Sequence, residues 1–478
     1  MHFGFNTAVK GLLASQKSLY IINHNISNTN TKGYSRQEGA QRATTPYHLP
    51  GIGFLGTGTE IYDVARIRDS YIDFKYWNEN GPKGEWQVKR ETLLELEKLF
   101  GEPSDSSFRQ YLDDFYAALD NMSKNPGDFS YREPVVENAL ALTKHINETA
   151  QRLLELRQET EFAIENKIKM VNGLAQQIAS LNRQIYSNEL DGRKANDLRD
   201  RRDLLIDELS QIVNVRVDES KDGKLRVNIS GVAIVDHLDV NEINLSDDKT
   251  KLEWPNGSKV DIRSGELKGL LELYNGDGKN NNYRGIPYYQ ERLNQFAKGF
   301  ADKFNEQHRQ GYGLGLDENG DYRQGINFFT YDDSNELNIA ATITLTQEIL
   351  KDVRNIAAAG SPPGSAEDNE NLLNLIALRD NKEFFSGGVS QGTPDDFIKS
   401  ILSNLAVDST QGKRMYSSQE VILKNIEAKR NSISGVSYDE EMANMVKFQH
   451  TYMASARMIT TMDAIMDITI NRLGLVGR

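Results

Sequence analysis

Apolar residues recur every seven positions at both ends of the chain. Phe5, Leu12, Leu19 and Ile26 form one row, with Ala8 and Ile22 three residues after two of them. Near the other end Met445, Tyr452, Ile459, Met466 and Leu473 form a second row; Met442, Ala456 and Ile470 fill three alternate places, and Gln449 and Asp463 interrupt them. A seven-residue apolar repeat marks a helix that lays a narrow stripe against another helix. Ser437 followed by Glu440 is a capping box, with Gly435 just before it, so the C-terminal helix is expected to start near residue 438. Either stripe alone could pack on the protein's own core. Matching stripes at both extremes favour pairing with each other or with neighbouring copies. Neither stripe has a guaranteed partner in the free chain, so both termini are expected to be largely disordered there.

Between the ends the pattern predicts helices over 85–99 and 108–122 and a long one opened by Pro134, in which Val171, Leu174, Ile178, Leu181 and Ile185 repeat. Residues 188–192 break it and 196–212 resume. From Val213 the period becomes two: VNVRVD, LRVNI, VAIVD and INL are separated by Asp-Gly and Ser-Gly turn signals. Helical spacing returns over 265–274 and 287–308, residues 311–392 are mixed, and Thr393–Pro394 cap a helix reaching about Asn431. The expected fold is mostly α with an inserted β-rich domain. It is an elongated, hairpin-like chain with its terminal coiled-coil helices paired at one pole, a long helical bundle next, and the β domain at the outer end. The divisions are 1–45 with 436–478 (terminal unit), 46–212 with 373–435 (helical bundle) and 213–372 (middle and outer β-rich domain). The strand-rich stretch 213–262 is expected to be a separable decoration.

Length and charge narrow the function. A chain of 478 residues holds two to four domains, and a net charge of −13 argues against nucleic-acid or anionic-membrane binding. No apolar run approaches the ~18 residues of a membrane span. The N-terminus lacks a basic start, a continuous apolar stretch and a small-residue cleavage site, and so does not read as a signal peptide. The chain has no cysteine, which excludes disulfides, thiolate metal sites and cysteine nucleophiles.

The chemical motifs are decoys. GIGFLG (51–56) has dinucleotide-type glycine spacing, but neither a leading strand nor a following helix is expected. GVSQG, around Ser390, has nucleophile-elbow spacing but a polar lead-in. DENGD from Asp317 lacks the twelfth-position glutamate of a calcium loop, and the seven histidines are scattered. No catalytic, metal or cofactor site is assigned.

NISNTNTKGYSRQ (25–37), behind the N-terminal helix, resembles the signature of axial proteins of the bacterial flagellum, and GYSRQ points to the family of the first hook-associated protein. SISGVSYDEEMANMVKFQHTYMASARMITTMDAIMD resembles that family's C-terminal motif, and GELKGLLELY, IPYYQERLNQFA and FNEQHRQGYG its internal helices and the turn after them. The family usually has Pro where this chain has Lys32, and the chain is short for it, which implies an outer domain either reduced or missing. The resemblance implies a non-enzymatic adaptor between hook and filament, outside the cell and exported by the flagellar type III route. Its implied partners are the hook protein, the third hook-associated protein, itself in a helical ring, and an export chaperone on the C-terminal segment; neither nucleic acid nor membrane insertion is implied. Assembly would use Phe5, Leu12, Leu19, Ile26, Met445, Tyr452, Ile459, Met466 and Leu473, with Asn28, Asn30, Gly33, Tyr34 and Arg36 in the turn that leaves the inner tube. There Gly33 permits a left-handed backbone, Tyr34 can enter an apolar pocket, and Arg36 can pair with an acidic neighbour. The alternatives are another axial protein (distal rod, hook or filament subunit) or a cytosolic hydrolase built on Ser390.

Overall fold

The computed structural model describes all residues except 1, 101–107, 221–222, 317–321, 335–338, 362–365, 386–391 and 473–478. Leu473, Ser390 and the DENGD turn therefore lie outside the described residues. The chain opens with α1 (His2–Ser27), then two nested hairpins: β1 (Gln37–Ala43) with β4 (Thr59–Arg66), and between them β2 (Tyr47–Leu49) with β3 (Gly53–Leu55). Thus a strand does precede GIGFLG, but it pairs back on Gly53–Leu55 and no helix follows.

Next come α2 (Ser70–Leu99), α3 (Phe108–Lys124), α4 (Phe129–Asn188) and α5 (Asn196–Ile212). The sequence pattern starts α2 at Glu85 because NGPKG reads as a breaker, yet the helix runs straight through Pro82. The glycines are there for contact: a Cβ on Gly84 would collide with the Gln211 carbonyl oxygen, and one on Gly81 would meet Ser264 Oγ at 2.6 Å. Bare backbone lets α2 press against the end of α5. Pro134 likewise lies inside α4, whose N-cap is Asp128. At 60 residues α4 is about 90 Å long.

An antiparallel meander follows: β5 (Arg216–Glu219), β6 (Leu225–Ile229), β7 (Val232–Asp236) and β8 (Asp239–Val240), with the small pair β9 (Asn244–Leu245) and β10 (Leu252–Glu253). Then come α6 (Glu266–Asn275), α7 (Ile286–His308), β11 (Tyr312–Leu316), β12 (Tyr322–Gln324), β13 (Phe329–Thr330), α8 (Ile339–Thr342), β14 (Thr344–Leu345), α9 (Gln347–Lys351) and α10 (Glu370–Ala377). The long α11 (Pro394–Ser434) starts at the expected Thr393 cap, which Asp396 completes as a capping box, its N–H donating to Thr393 Oγ1 at 3.1 Å. It lies antiparallel along α2, and α12 (Tyr438–Asp467) returns against α1. The class is the expected one, mostly α with a β-rich insert.

Two cores divide the length of α4. Its first half, Val135 to Leu156, joins Phe115, Phe296, Phe300, Phe304 and Phe328 in an aromatic core. Its second half, Ile164 to Ala179, packs with α5, α6 and the meander. The meander therefore lies nearer the paired termini than the expected outer end. The reason is local: β5 follows α5 and turns back along it, so that Arg199 and Glu219 pair at 3.0 Å. Nor is the 213–262 stretch a detached decoration. Val215, Leu225, Val227, Ile229, Val235 and Trp254 share one core with Ile168, Val171, Ile178, Ile206 and Leu267.

Polar side chains fix the turn after α7. Asn305 Oδ1 accepts from the backbone N–H of Phe328 and Phe329, at 2.8 and 2.9 Å. His308 is fully buried; its Nδ1 lies 2.6 Å from the Ile326 carbonyl oxygen, and its Nε2 accepts from Ala357 N–H at 2.9 Å. The ring is thus neutral, with the proton on Nδ1.

Two outcomes follow from this packing. Replacing 213–262 by a short Gly-Ser linker is expected to lower the melting temperature sharply, since it bares the apolar faces of α4, α5 and α6; calorimetry on the purified chain checks it. Burial pushes the His308 imidazole down from 6.5 to about 4. A base held neutral in the fold contributes stability that is complete above its unfolded pKa and is lost as pH falls toward the folded one. The stability advantage of wild type over His308→Gln should shrink by about 3 kcal/mol between pH 7 and pH 4, read from denaturant melts.

Candidate assembly interface at the paired termini

Helices α1 and α12 run antiparallel, and small residues carry their contact. A Cβ on Gly4 would overlap Met462 Cε, and one on Gly11 would lie 3.2 Å from Ser455 Oγ. Continuing in sevens, Ser18 and Asn25 are buried on the same row, with Ala8, Ser15 and Ile22 beside it. The expected row, Phe5, Leu12, Leu19 and Ile26, is the flank of this seam and stays half-buried. On α12, Met445, Ile459 and Met466 are half-buried toward α1, Tyr452 is just exposed, and the alternate row is Phe448, Ser455, Met462 and Thr469. Met442 and Ile470, expected on the seam, face away from it. The two termini pair with each other, as the hairpin-like fold read from the sequence has them. On the far sides Leu13 and Tyr20 of α1 and Met442, Val446 and Met453 of α12 are exposed.

The turn after α1 is tightly specified. Asn28 N–H donates to the His24 carbonyl at 3.2 Å, and the Asn28 side chain donates to the same oxygen at 3.0 Å. Gly33 has φ +83°, and a Cβ there would also crowd Leu204 at 3.2 Å. Asn30 is exposed. Asn25 acts as a one-residue strand toward Gln37: its Oδ1 accepts Gln37 N–H at 3.0 Å, and its Nδ2 donates to the Gln37 carbonyl at 2.9 Å. Tyr34 does not enter an apolar pocket. Its hydroxyl donates to Asn25 Oδ1 at 2.7 Å and lies 2.9 Å from His24 Nδ1. Burial, then Asp197, Asp200 and Glu441, raise its pKa, so the phenol stays protonated and able to donate. Arg36 finds its acidic neighbours within the chain, pairing with Glu440 at 2.9 Å and Glu441 at 2.8 Å in the first turn of α12. Its N–H donates to the Ser434 carbonyl at 2.8 Å, the end of α11.

Beneath the turn lies an ionic cluster. Asp200 accepts from Ser35 N–H (2.9 Å), Ser35 Oγ (2.8 Å) and Arg66 (2.7 Å). Asp203 pairs with Arg66 at 2.9 Å and Arg68 at 3.2 Å. Asp207 pairs with Arg430 of α11 at 2.7 Å and accepts from Trp77 Nε1 at 2.7 Å. Asp73 takes Arg68 at 2.6 Å and Arg430 at 2.8 Å. Burial pushes the Asp200 and Asp207 carboxyls up, opposed by Arg66 and Arg430 respectively. At Asp203 burial also raises, but Arg68, Arg66 and Arg202 together outweigh it and hold that carboxyl low. None of these residues stands out in sequence. Asp200, Asp203 and Asp207 do repeat on one helix face, but charges on an amphipathic helix read as its solvated side.

Residues 93–329 match the family described as "Flagellar hook-associated protein FlgK helical domain", and 428–473 that described as "Flagellar basal body rod FlgEFG protein C-terminal". The chain is 30% identical to flagellar hook-associated protein 1 of Bacillus subtilis, over 99% of both chains. It is 24% identical to the protein of that name in Escherichia coli, over 98% of this chain and 99% of the other. Its fold resembles that of the flagellar hook junction protein FlgK from Burkholderia pseudomallei (TM-score 0.60, 14% identity, 75% of this chain and 100% of that one).

The cluster predicts an asymmetry between two neighbouring aspartates. Asp200→Ala strands the buried Ser35 N–H and half of the Arg66 pairing, and is expected to cost about 3 kcal/mol. Asp197, exposed and holding Gln37 at 2.8 Å, should cost under ~1 kcal/mol as Ala. Denaturant melts give the costs, and hydrogen exchange at Ser35 should accelerate only in Asp200→Ala.

Proposed function

This chain belongs to the flagellar hook-associated protein 1 family, structural and non-enzymatic parts of the flagellum outside the cell, and from that premise we propose how it joins hook to filament. The terminal pair, residues 1–45 with 436–478, is the assembly unit. Its seam joins α1 to α12 within one chain, and its outer rows join neighbouring chains in a ring. The rows are Phe5–Leu12–Leu19–Ile26, Leu13–Tyr20 and Met442–Val446–Met453. Residues 46–212 with 373–435, and 213–372, form the body outside that ring, apart from the strands within 46–66, which lie on α1, and the body is held at a fixed angle by the turn at Asn28–Arg36.

The observation that carries this reading is the bare apolar surface on an otherwise finished helix pair. Leu13, Tyr20, Val446 and Met453 are each 45–72% exposed. Heptad-spaced apolar residues left in water on two packed helices are the form of surface that a further helix covers. The hook protein below and the third hook-associated protein above are the proposed neighbours. Passage through the flagellar type III route, with a chaperone over the α12 rows until assembly, completes the reading.

Val446→Asp and Met453→Asp test it against Lys447→Asp, an exposed residue off the rows. In the free chain all three should change stability by under ~0.5 kcal/mol, as surface changes do. In cells the two row variants should be secreted yet release filament subunits into the medium, while Lys447→Asp cells swim. Ile459→Asp, half-buried toward α1, should in addition lower the melting temperature of the free chain. Normal swimming with Val446→Asp and Met453→Asp would remove the rows from the assembly contact.

A further inference from the structure

The β2–β3 hairpin has no core of its own. Its register pairs Tyr47 with Leu55, His48 with Phe54 and Leu49 with Gly53, which places Tyr47 and Phe54 on opposite faces. Tyr47, Ile52 and Phe54 are 53%, 69% and 73% exposed. A two-stranded hairpin is marginal in water by itself, and this one shows aromatic surface on both sides. Its root is nevertheless fastened. Lys10 Nζ donates to Thr44 Oγ1 at 3.1 Å, Thr44 N–H donates to the Gly58 carbonyl at 3.0 Å, and Thr57 Oγ1 donates to the Thr45 carbonyl at 2.8 Å. The tip is therefore mounted on the first half of α1, with Ile52 and Phe54 its most exposed apolar side chains.

We propose that this hairpin is a wedge that enters between the terminal helix pairs of neighbouring copies of this chain. A sheet that lies on one partner is apolar on one face and polar on the other; a hairpin apolar on both faces fits a slot with two apolar walls. The chain itself carries such walls, since Leu13–Tyr20 and Met442–Val446–Met453 are bare rows on the same unit that mounts the hairpin. In the proposed ring the tip of one copy would seat against the bare rows of the next. Residues 44–58 contain no Lys, Arg, Asp or Glu, so the tip offers an anionic bilayer no cation and a charged protein surface no partner.

The wedge rests on the ring reading of the terminal rows, and the test separates the two. The photo-reactive residue p-benzoylphenylalanine is placed at Ile52 in one strain and at Met453 in another, and intact flagella are irradiated. The expected result is a covalent dimer of this chain from the Ile52 probe, with its linked peptide in α1 or α12 of the second copy. If the Met453 probe links copies while the Ile52 probe captures lipid, another protein or nothing, the wedge is overturned and the ring stands. If neither probe links copies, the ring reading falls and takes the wedge with it. The double change Ile52→Ser with Phe54→Ser touches only exposed side chains. It should leave the melting of the free chain unchanged while lowering the recovery of assembled junctions by about tenfold, and recovery equal to wild type would overturn the wedge.

Discussion

Three carboxylates on one face of α5 hold the molecule's parts at their angles. Asp200, Asp203 and Asp207 receive guanidinium groups from Arg66 and Arg68 at the end of the β1–β4 hairpin and from Arg430 near the end of α11. Those donors stand more than a hundred residues from their acceptors in sequence. Buried ion pairs add little net stability compared with apolar packing of the same volume, because each charge gives up its water. What they supply here is geometry. Each guanidinium has a fixed fork of donors, and displacing it leaves a charge unpaired in a dry site. Ser35 is bound to the same Asp200, and Arg36 beside it binds the first turn of α12. The exit of α1, the entry of α12 and the ends of α2 and α11 are thereby set at one joint.

This joint explains the polar turn better than loop composition does. Asn and Ser favour turns because their side chains bond locally: Asn25 and Asn28 reach backbone carbonyls, while Ser35 donates to the Asp200 carboxylate. Their partners are within the chain. Only Asn30 and the outer side of the turn remain exposed for a neighbour. The left-handed Gly33 could be read from the sequence, since a turn that reverses a helix needs such a residue; the Leu204 contact that doubles the constraint could not.

Elsewhere the sequence was legible where one local rule decides the outcome. The α11 and α12 caps and the change from period 3.6 to period two near Val213 were all plain. It was less legible where a tertiary contact reverses the local rule. NGPKG reads as a break until α5 presses on Gly84, and the meander reads as detached until its apolar face is seen to share a core with Ile168 and Val171. The α1 seam was misplaced by one residue for a related reason. Hydrophobicity points to Phe5, Leu12, Leu19 and Ile26, while close approach of two helices is carried by Gly4, Gly11, Ser15 and Ser18.

That displacement says something about the energetics of the terminal pair. A buried Leu, Phe or Met side chain is worth about 1.5–3 kcal/mol, whereas Gly, Ala and Ser contribute little by burial. In α1 and α12 the small residues are turned inward, and many of the large ones, Leu13, Tyr20, Val446 and Met453 among them, are left in water. The seam therefore allows two backbones to come close without gaining much from doing so. One end of the pair is anchored, at Asn25, Arg36 and Glu441 beside the ionic joint. Toward Gly4 and Met462 it is held by the narrow seam, with Lys10 tied to Thr44 at the root of the β2–β3 hairpin. A pair built this way is positioned by its joint and left unfinished by its packing, and covering the apolar rows it leaves bare is what the proposed contact between copies would contribute.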